Sequence, residues 1–209
     1  MSEICAKLHQ LFNTLHLHHF PFDVNAIPRN GIYVLFETGE MAHGVNRIVR
    51  VGTHTGKNQL RSRLQQHFIR ENKDRSIFRK NIGRALLARD HDPFLELWEI
   101  DLTTSAAKRE YAARMDFEKR SQVERQVTAY IQANFRFVVF PVDDKDERLT
   151  WESRIISNVS LCQECGPSNA WLGLHSPKEK IRQSGLWLVN ELYKQPLSDD
   201  EFKRLEASV

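Results

Sequence analysis

The sequence predicts one α/β unit with insertions, and three observations carry that reading. Runs rich in β-branched and aromatic residues, GIYVLFE from Gly31, RIVRVGT from Arg47 and FRFVVFPV from Phe135, read as strands. Around them lie longer segments whose apolar residues recur every three or four positions, the signature of half-buried helices. Neither an internal repeat nor a low-complexity linker divides the 209 residues, a length sufficient for one substantial core.

In chain order, an amphipathic helix is expected over roughly residues 2–18. It ends before Pro21 and Pro28, since proline lacks the amide hydrogen that a helix interior uses. GIYVLFE and RIVRVGT then form a hairpin, with TGEMAHGVN as a longish loop. Gly52 and Gly56 bracket the exit into a helix over about 59–71, where Leu60, Leu64 and Phe68 make one stripe by their spacing of four. SIFRKNIGRALL predicts a further helix, FLELWEIDL a strand, and residues 106–133 a long charged helix carrying Met115, Val123, Val127 and Ile131. FRFVVFPV is followed by a helix over DERLTWESRIISNV. The tail is irregular through GPSNAWLGLHSP, forms a short element around SGLWLVNELY, and ends in a helix opened by the capping box of Ser198 and Glu201.

The formal net charge is only +3, but residues 47–89 carry twelve Lys and Arg against Glu71 and Asp74 alone, a segment that favours a polyanion. Cys5, Cys162 and Cys165 are an odd number of cysteines, and the first twenty residues lack a secretory pattern, so a reducing cytoplasm is the expected home. No run approaches a membrane span. The CQEC stretch has zinc-like spacing, but with His175 it offers three ligands where a structural site needs four; HLHH at 16–19 is likewise a weak metal signal.

Several polar residues need explaining. At 100° per residue, Arg63, His67 and Arg70 fall along one edge of the Leu60–Leu64–Phe68 stripe, a half-buried boundary able to hold a guanidinium and an imidazole in fixed orientation at a cleft. On the late helix, Leu149, Trp151, Ile155, Ile156 and Val159 define the buried side, and Glu152 projects within that arc. A carboxylate placed inward must be paired, hydrogen-bonded, protonated or bound to a metal. Glu124 sits nearer the margin of its own stripe, where solvent can reach it. Tyr33 shares a strand face with Leu35.

GIY, the glycine-terminated RVG, Thr53 and Thr55, then RLQQH and the inward Glu152, taken in that order, resemble the core of the GIY-YIG endonuclease superfamily over roughly residues 30–159. Arg and His four apart are similar in particular to its small Type II restriction enzymes. The resemblance implies a three-stranded antiparallel sheet flanked by helices, with residues 1–29 as an N-terminal helical extension of a single domain. It also implies a helical insertion around 103–135 and a C-terminal packing extension over 160–209. The second tyrosine of the family pattern has no phenol to match it in RVG, its place being assigned to Val51, with Thr53, Thr55, His54 or a water as substitutes.

The activity so implied is hydrolysis of phosphodiester bonds in double-stranded DNA, with one Mg²⁺ (or Mn²⁺) per active site. Tyr33 corresponds to the residue that acts as or positions the general base, Arg63 to the arginine on the scissile phosphate, His67 to the histidine of the restriction-type members, and Glu152 to the metal ligand. Asn169 matches an asparagine that follows the glutamate helix in some members. Lys57, Arg61, Arg70, Arg79 and Lys80 are the expected nucleic-acid contacts, and a symmetric homodimer would let such an enzyme cut both strands. The other readings are a nucleic-acid-binding module that keeps the nuclease fold without its chemistry, and a protein-interaction domain with a basic surface.

Overall fold

A computed structural model describes residues 2–209. Its sheet has four antiparallel strands in the order β1-β4-β2-β3. The strands are β1 (His18–His19), β2 (Ile32–Ala42), β3 (Val45–Gly52) and β4 (Phe135–Phe140). The fourth strand is the two-residue β1, which extends the three-stranded expectation and draws the HLHH stretch into backbone pairing with β4.

The hairpin corrects a second expectation. Where a long loop was expected, β2 and β3 run on to a tight turn at His43 and Gly44, both with positive φ, as two-residue hairpin turns require. The extra residues of β2 are absorbed by the register shift between Phe36 and Met41, while the shift between Leu35 and Phe36 leaves Val49 as the extra residue of β3.

Helices cover both faces of the sheet. On one face Tyr33, Leu35, Val49 and Phe137 pack against α2 (Leu60–Phe68), α3 (Ile77–Arg89) and α6 (Phe117–Asn134), with Leu64, Phe68, Ile82 and Val127 fully buried. On the other, Val34, Ile48, Val51 and Val138 meet Leu8 and Phe12 of α1 (Ser2–Thr14), Ile155 and Val159 of α7 (Lys145–Leu161), and Leu205 of the last helix, Asp199–Ser208. Each such apolar side chain contributes about 1.5–3 kcal/mol over leaving it in water. Period-two parity explains most of the division, because consecutive strand residues point to opposite layers, and the register shift that skips Val49 puts Val49 and Val51 in different layers. The last helix opens with the Ser198–Glu201 capping box that its sequence announces.

Two other elements differ from expectation. FLELWEIDL holds a single helical turn, α4 (Leu95–Trp98), because the Trp98 indole docks on α3 and donates to Lys80 O at 3.0 Å. The expected helix over 106–133 is two, α5 (Ser105–Tyr111) and α6, the second starting where Asp116 caps the amide of Lys119.

The basic segment is partly neutralised within the fold. Arg47 pairs with Glu40, Lys73 with Asp74, Arg79 with Glu124 and Arg84 with Glu99. Glu124 is therefore buried and paired, not solvated. Among the described residues, no helix is long and apolar enough to cross a membrane.

Candidate active site

The GIY segment is fixed by close backbone approach. A Cβ at Gly31 would lie 2.2 Å from Phe140 O on β4, so only glycine lets β2 begin there. Gly52 is opposite Tyr33 across the hairpin, and a Cβ on it would lie 2.2 Å from the Tyr33 hydroxyl. The final glycine of RVG thus makes room for the phenol of GIY.

Tyr33 lies at the centre of a buried polar chain. Its oxygen accepts from Arg50 Nε at 3.2 Å and lies 2.8 Å from His67 Nε2; His67 Nδ1 is 2.7 Å from Ser76 Oγ, which also caps α3 through the amide of Arg79. Burial, with Arg63, Arg50 and Arg79 nearby, holds the imidazole well below its usual pKa. In the neutral tautomer that donates from Nδ1 to Ser76, Nε2 keeps a lone pair that can accept from the phenol; in the other, Ser76 donates to Nδ1 and Nε2 donates to the Tyr33 oxygen. His67 is fully buried, deeper than the half-buried helix edge its spacing implies.

Beside this chain lies a cleft of about 330 Å³ lined by Thr53, His54, Thr55, Arg63, Leu149 and Glu152. It continues past Thr55, Arg63 and Glu152 into a second cavity walled by Arg50, Ile77 and Asn81. Arg63 donates to Gln66 Oε1 and Arg75 O but has no carboxylate partner among the described residues, leaving its charge available to an anion. Glu152 accepts the Thr53 amide at 3.0 Å on Oε1, and no other hydrogen bond to its carboxylate forms among the described residues. Burial raises its pKa, opposed by Arg50 and the Thr53 N–H. The remaining oxygen suits a hard divalent cation, whose other ligands are water and substrate oxygens.

Arg63 and Glu152 thus share one cleft, whereas Tyr33 and His67 are fully buried and line neither it nor the second cavity. The link is Arg50, which donates to the Tyr33 oxygen and walls the second cavity into which the cleft continues. Sequence reasoning missed it and named Val51 for the second tyrosine's place. Register decides otherwise: Arg50 pairs with Leu35 on Tyr33's face, while Val51 packs in the opposite layer. Asn81 was also missed; its Nδ2, on the wall of the second cavity, is buried without a partner.

The remaining expected residues separate. Thr53 donates its hydroxyl to Gly31 O at 2.7 Å, and His54 donates from Nδ1 to Gly56 O at 2.6 Å and accepts the Gly31 amide, so both brace the loop; Thr55 is exposed in the cleft. Lys57 and Arg70 are exposed and able to meet phosphate. Arg61 is tied to Ile27 O and Asn25 O, and Lys80 to Glu99 O. Arg79 is fully buried, donating to Glu124, His67 O and Thr128, so it is no phosphate contact. Asn169 is exposed on a loop whose Ser168 and Trp171 bind Glu40 and Glu37, with no hydrogen bond to the cleft among the described residues. His175 is exposed and does not join the cysteines.

No curated protein and no solved structure matches the chain. The family model of the GIY-YIG domain matches residues 5–209. Since that match takes in the hairpin that seats the phenol, the helix that carries Arg63 and the helix that carries Glu152, the chain belongs to the GIY-YIG domain family, a membership that implies endonuclease activity.

Proposed function

We propose that the cleft hydrolyses phosphodiester bonds of double-stranded DNA, and that it uses one Mg²⁺ (or Mn²⁺). The observation that supports this most directly is the unpaired Arg63 guanidinium facing the same cleft as a carboxylate with one oxygen free, next to a cavity wall, Arg50, that is bonded to the buried Tyr33–His67 pair. Phosphodiester hydrolysis needs an oriented nucleophile, a cation on the phosphoryl oxygens and help for the departing 3′ oxygen.

Arg63 binds the scissile phosphate through its unpaired guanidinium. The Tyr33 oxygen takes the proton of the attacking water while its own proton moves to the Nε2 lone pair of His67. Arg50 donates Nε to that oxygen and so orients it, and its Nη1 bond to Trp187 O keeps the guanidinium in place. Glu152 would hold the divalent ion, which when bound stabilises charge on the leaving oxygen. Exposed Lys57 lies along an adjoining groove with Arg29 and Lys145 that meets the cleft at Thr55, a path for the rest of the duplex. One such site nicks one strand, so the second strand is cut in a second event or by a second chain. The Arg63–His67 spacing favours a restriction-type or DNA-processing role.

The test is incubation of supercoiled plasmid with the purified chain and Mg²⁺ or Mn²⁺, beside Glu152→Ala and a binding assay on the same DNA. Cleavage by the natural chain alone, with both binding, supports the reading. Binding without cleavage by either points to a module that has lost the chemistry, and equal cleavage by both removes Glu152 from the reaction.

A further inference from the structure

All three cysteines of the chain converge at the other end of the hairpin from the cleft. Cys5 comes from α1, Cys162 ends α7, Cys165 lies just beyond, and His43 occupies the β2–β3 turn. Cys5 Sγ is 3.3 Å from Cys165 Sγ, and His43 Nε2 is 3.1 Å from Cys165 Sγ and 3.5 Å from Cys162 Sγ. Four ligands around one zinc, at Zn–S of about 2.3 Å and Zn–N of about 2.0–2.1 Å in a tetrahedron, lie about 3.8 Å apart for S···S and about 3.6 Å for S···N. The observed separations are each within about half an ångström of those edges. The CQEC spacing is that of a zinc knuckle, and it lacked only the two ligands that the fold brings from sequence positions 5 and 43.

We propose that Cys5, His43, Cys162 and Cys165 bind one zinc ion as a structural site that ties both terminal segments to the far end of the hairpin. His43 fits the role beyond its distances. Its other nitrogen, Nδ1, lies 3.6 Å from the Glu164 carboxylate, the arrangement in which a carboxylate orients a metal-bound imidazole.

A second histidine competes for the fourth place, because the ligand atoms of Cys5, His9, His43 and Cys165 all lie within 4.8 Å of one another. The hydrogen bonds of His9 decide against it. A carbonyl can only accept, so His9 Nδ1, 2.9 Å from Cys5 O, carries the proton; the Ile48 amide can only donate, so it occupies the Nε2 lone pair at 3.2 Å. Both nitrogens of His9 are therefore engaged, Nδ1 within α1 and Nε2 across to β3, and Cys162 completes the set.

The site is separate from the hydrolytic centre. Its distance is on the order of 15–20 Å, from ten residues of α7 between Glu152 and Cys162 and the length of β3. Sulfur and imidazole ligands select zinc, while the lone carboxylate in the cleft suits magnesium. The zinc holds in place the loop whose Ser168 amide binds Glu40 and whose Trp171 indole binds Glu37.

The test is metal analysis of untagged protein after dialysis, together with replacement by Co²⁺. About one zinc per chain, and a cobalt form with thiolate charge-transfer bands and the strong visible absorption of tetrahedral coordination, are expected. Cys162→Ser should lose most of the metal and weaken the charge-transfer band, whereas His9→Gln should keep the stoichiometry. Because a cysteine variant can fail to fold, the cobalt spectrum and a chelator-induced fall in melting temperature are read on the natural chain as well. Substoichiometric metal after zinc loading, or a Cys5–Cys165 disulfide in freshly purified protein, would overturn the site. Retention of metal by Cys162→Ser with loss in His9→Gln would overturn this ligand set.

Discussion

Tyr33→Phe keeps the ring that packs under α2 and deletes one oxygen. That oxygen accepts from Arg50 Nε and receives His67 as its second partner, so its removal leaves a buried guanidinium N–H and a buried imidazole nitrogen without them. At about 1–3 kcal/mol for each buried polar group left unmatched, the fold loses at most about 2–6 kcal/mol, a large share of a typical ~5–15 kcal/mol. The effect on chemistry is separate. Loss of a positioned proton acceptor costs about 10²–10⁴ in rate, or roughly 3–5 kcal/mol of barrier. The two are distinguished by following urea unfolding by circular dichroism, then measuring single-turnover nicking of plasmid well below the variant's transition. A folded Tyr33→Phe protein that nicks within about threefold of the natural chain would leave Tyr33 as a packing residue and require a different route for the water's proton.

Arg79→Met should cost about 3–5 kcal/mol, because it strands the Glu124 carboxylate in the interior, and Arg79→Met with Glu124→Leu should recover most of that in urea unfolding. Neither protein should change the salt dependence of DNA retention. Lys57→Ala and Arg70→Ala should each reduce that slope by about one if the exposed side chain meets a phosphate, measured as log binding constant against log salt. Glu152→Gln should be more stable than the natural chain at pH 7 without metal. Burial raises the folded pKa, so the native state holds that proton more tightly than the unfolded chain, and the natural chain loses stability as pH rises through that raised value. The gap should close as pH falls toward the ordinary carboxylate value near ~4.3, and a constant gap in melting curves across that range would contradict the assignment.

The parts of the site that sequence made legible are those set by local periodicity. Arg63 and His67 are four apart on one helix, and Glu152 lies within the apolar arc of α7; both follow from 3.6 residues per turn before any tertiary contact is known. What stayed hidden depends on pairing over distance. Arg79 reads as a surface cation until Glu124, forty-five positions away, is brought beside it. Cys5 and His43 have no sequence relation to CQEC until α1 lies along β3 and the hairpin turns at His43. TGEMAHGVN has the glycines of a loop, yet two of its residues suffice for the turn and the rest continue the strands.

Arg50 shows most sharply how a shift of one position alters the chemistry. If Val51 stood at the second tyrosine's place, the site would have an apolar gap where a phenol belongs, and loss of activity would follow naturally. The register of β2 and β3 puts Arg50 there instead, with its guanidinium on the oxygen of Tyr33 and within electrostatic reach of Glu152. A guanidinium in that position does what a second phenol cannot, since one planar fork donates Nε to the oxygen of Tyr33 and Nη1 to Trp187 O, fixing the phenol from one side while His67 meets it from the other. The departure from the family pattern therefore replaces a hydrogen-bonding partner with a charged one. It predicts that Arg50→Lys, which retains charge but not the fork that binds Tyr33 and Trp187 O together, loses activity far more than stability.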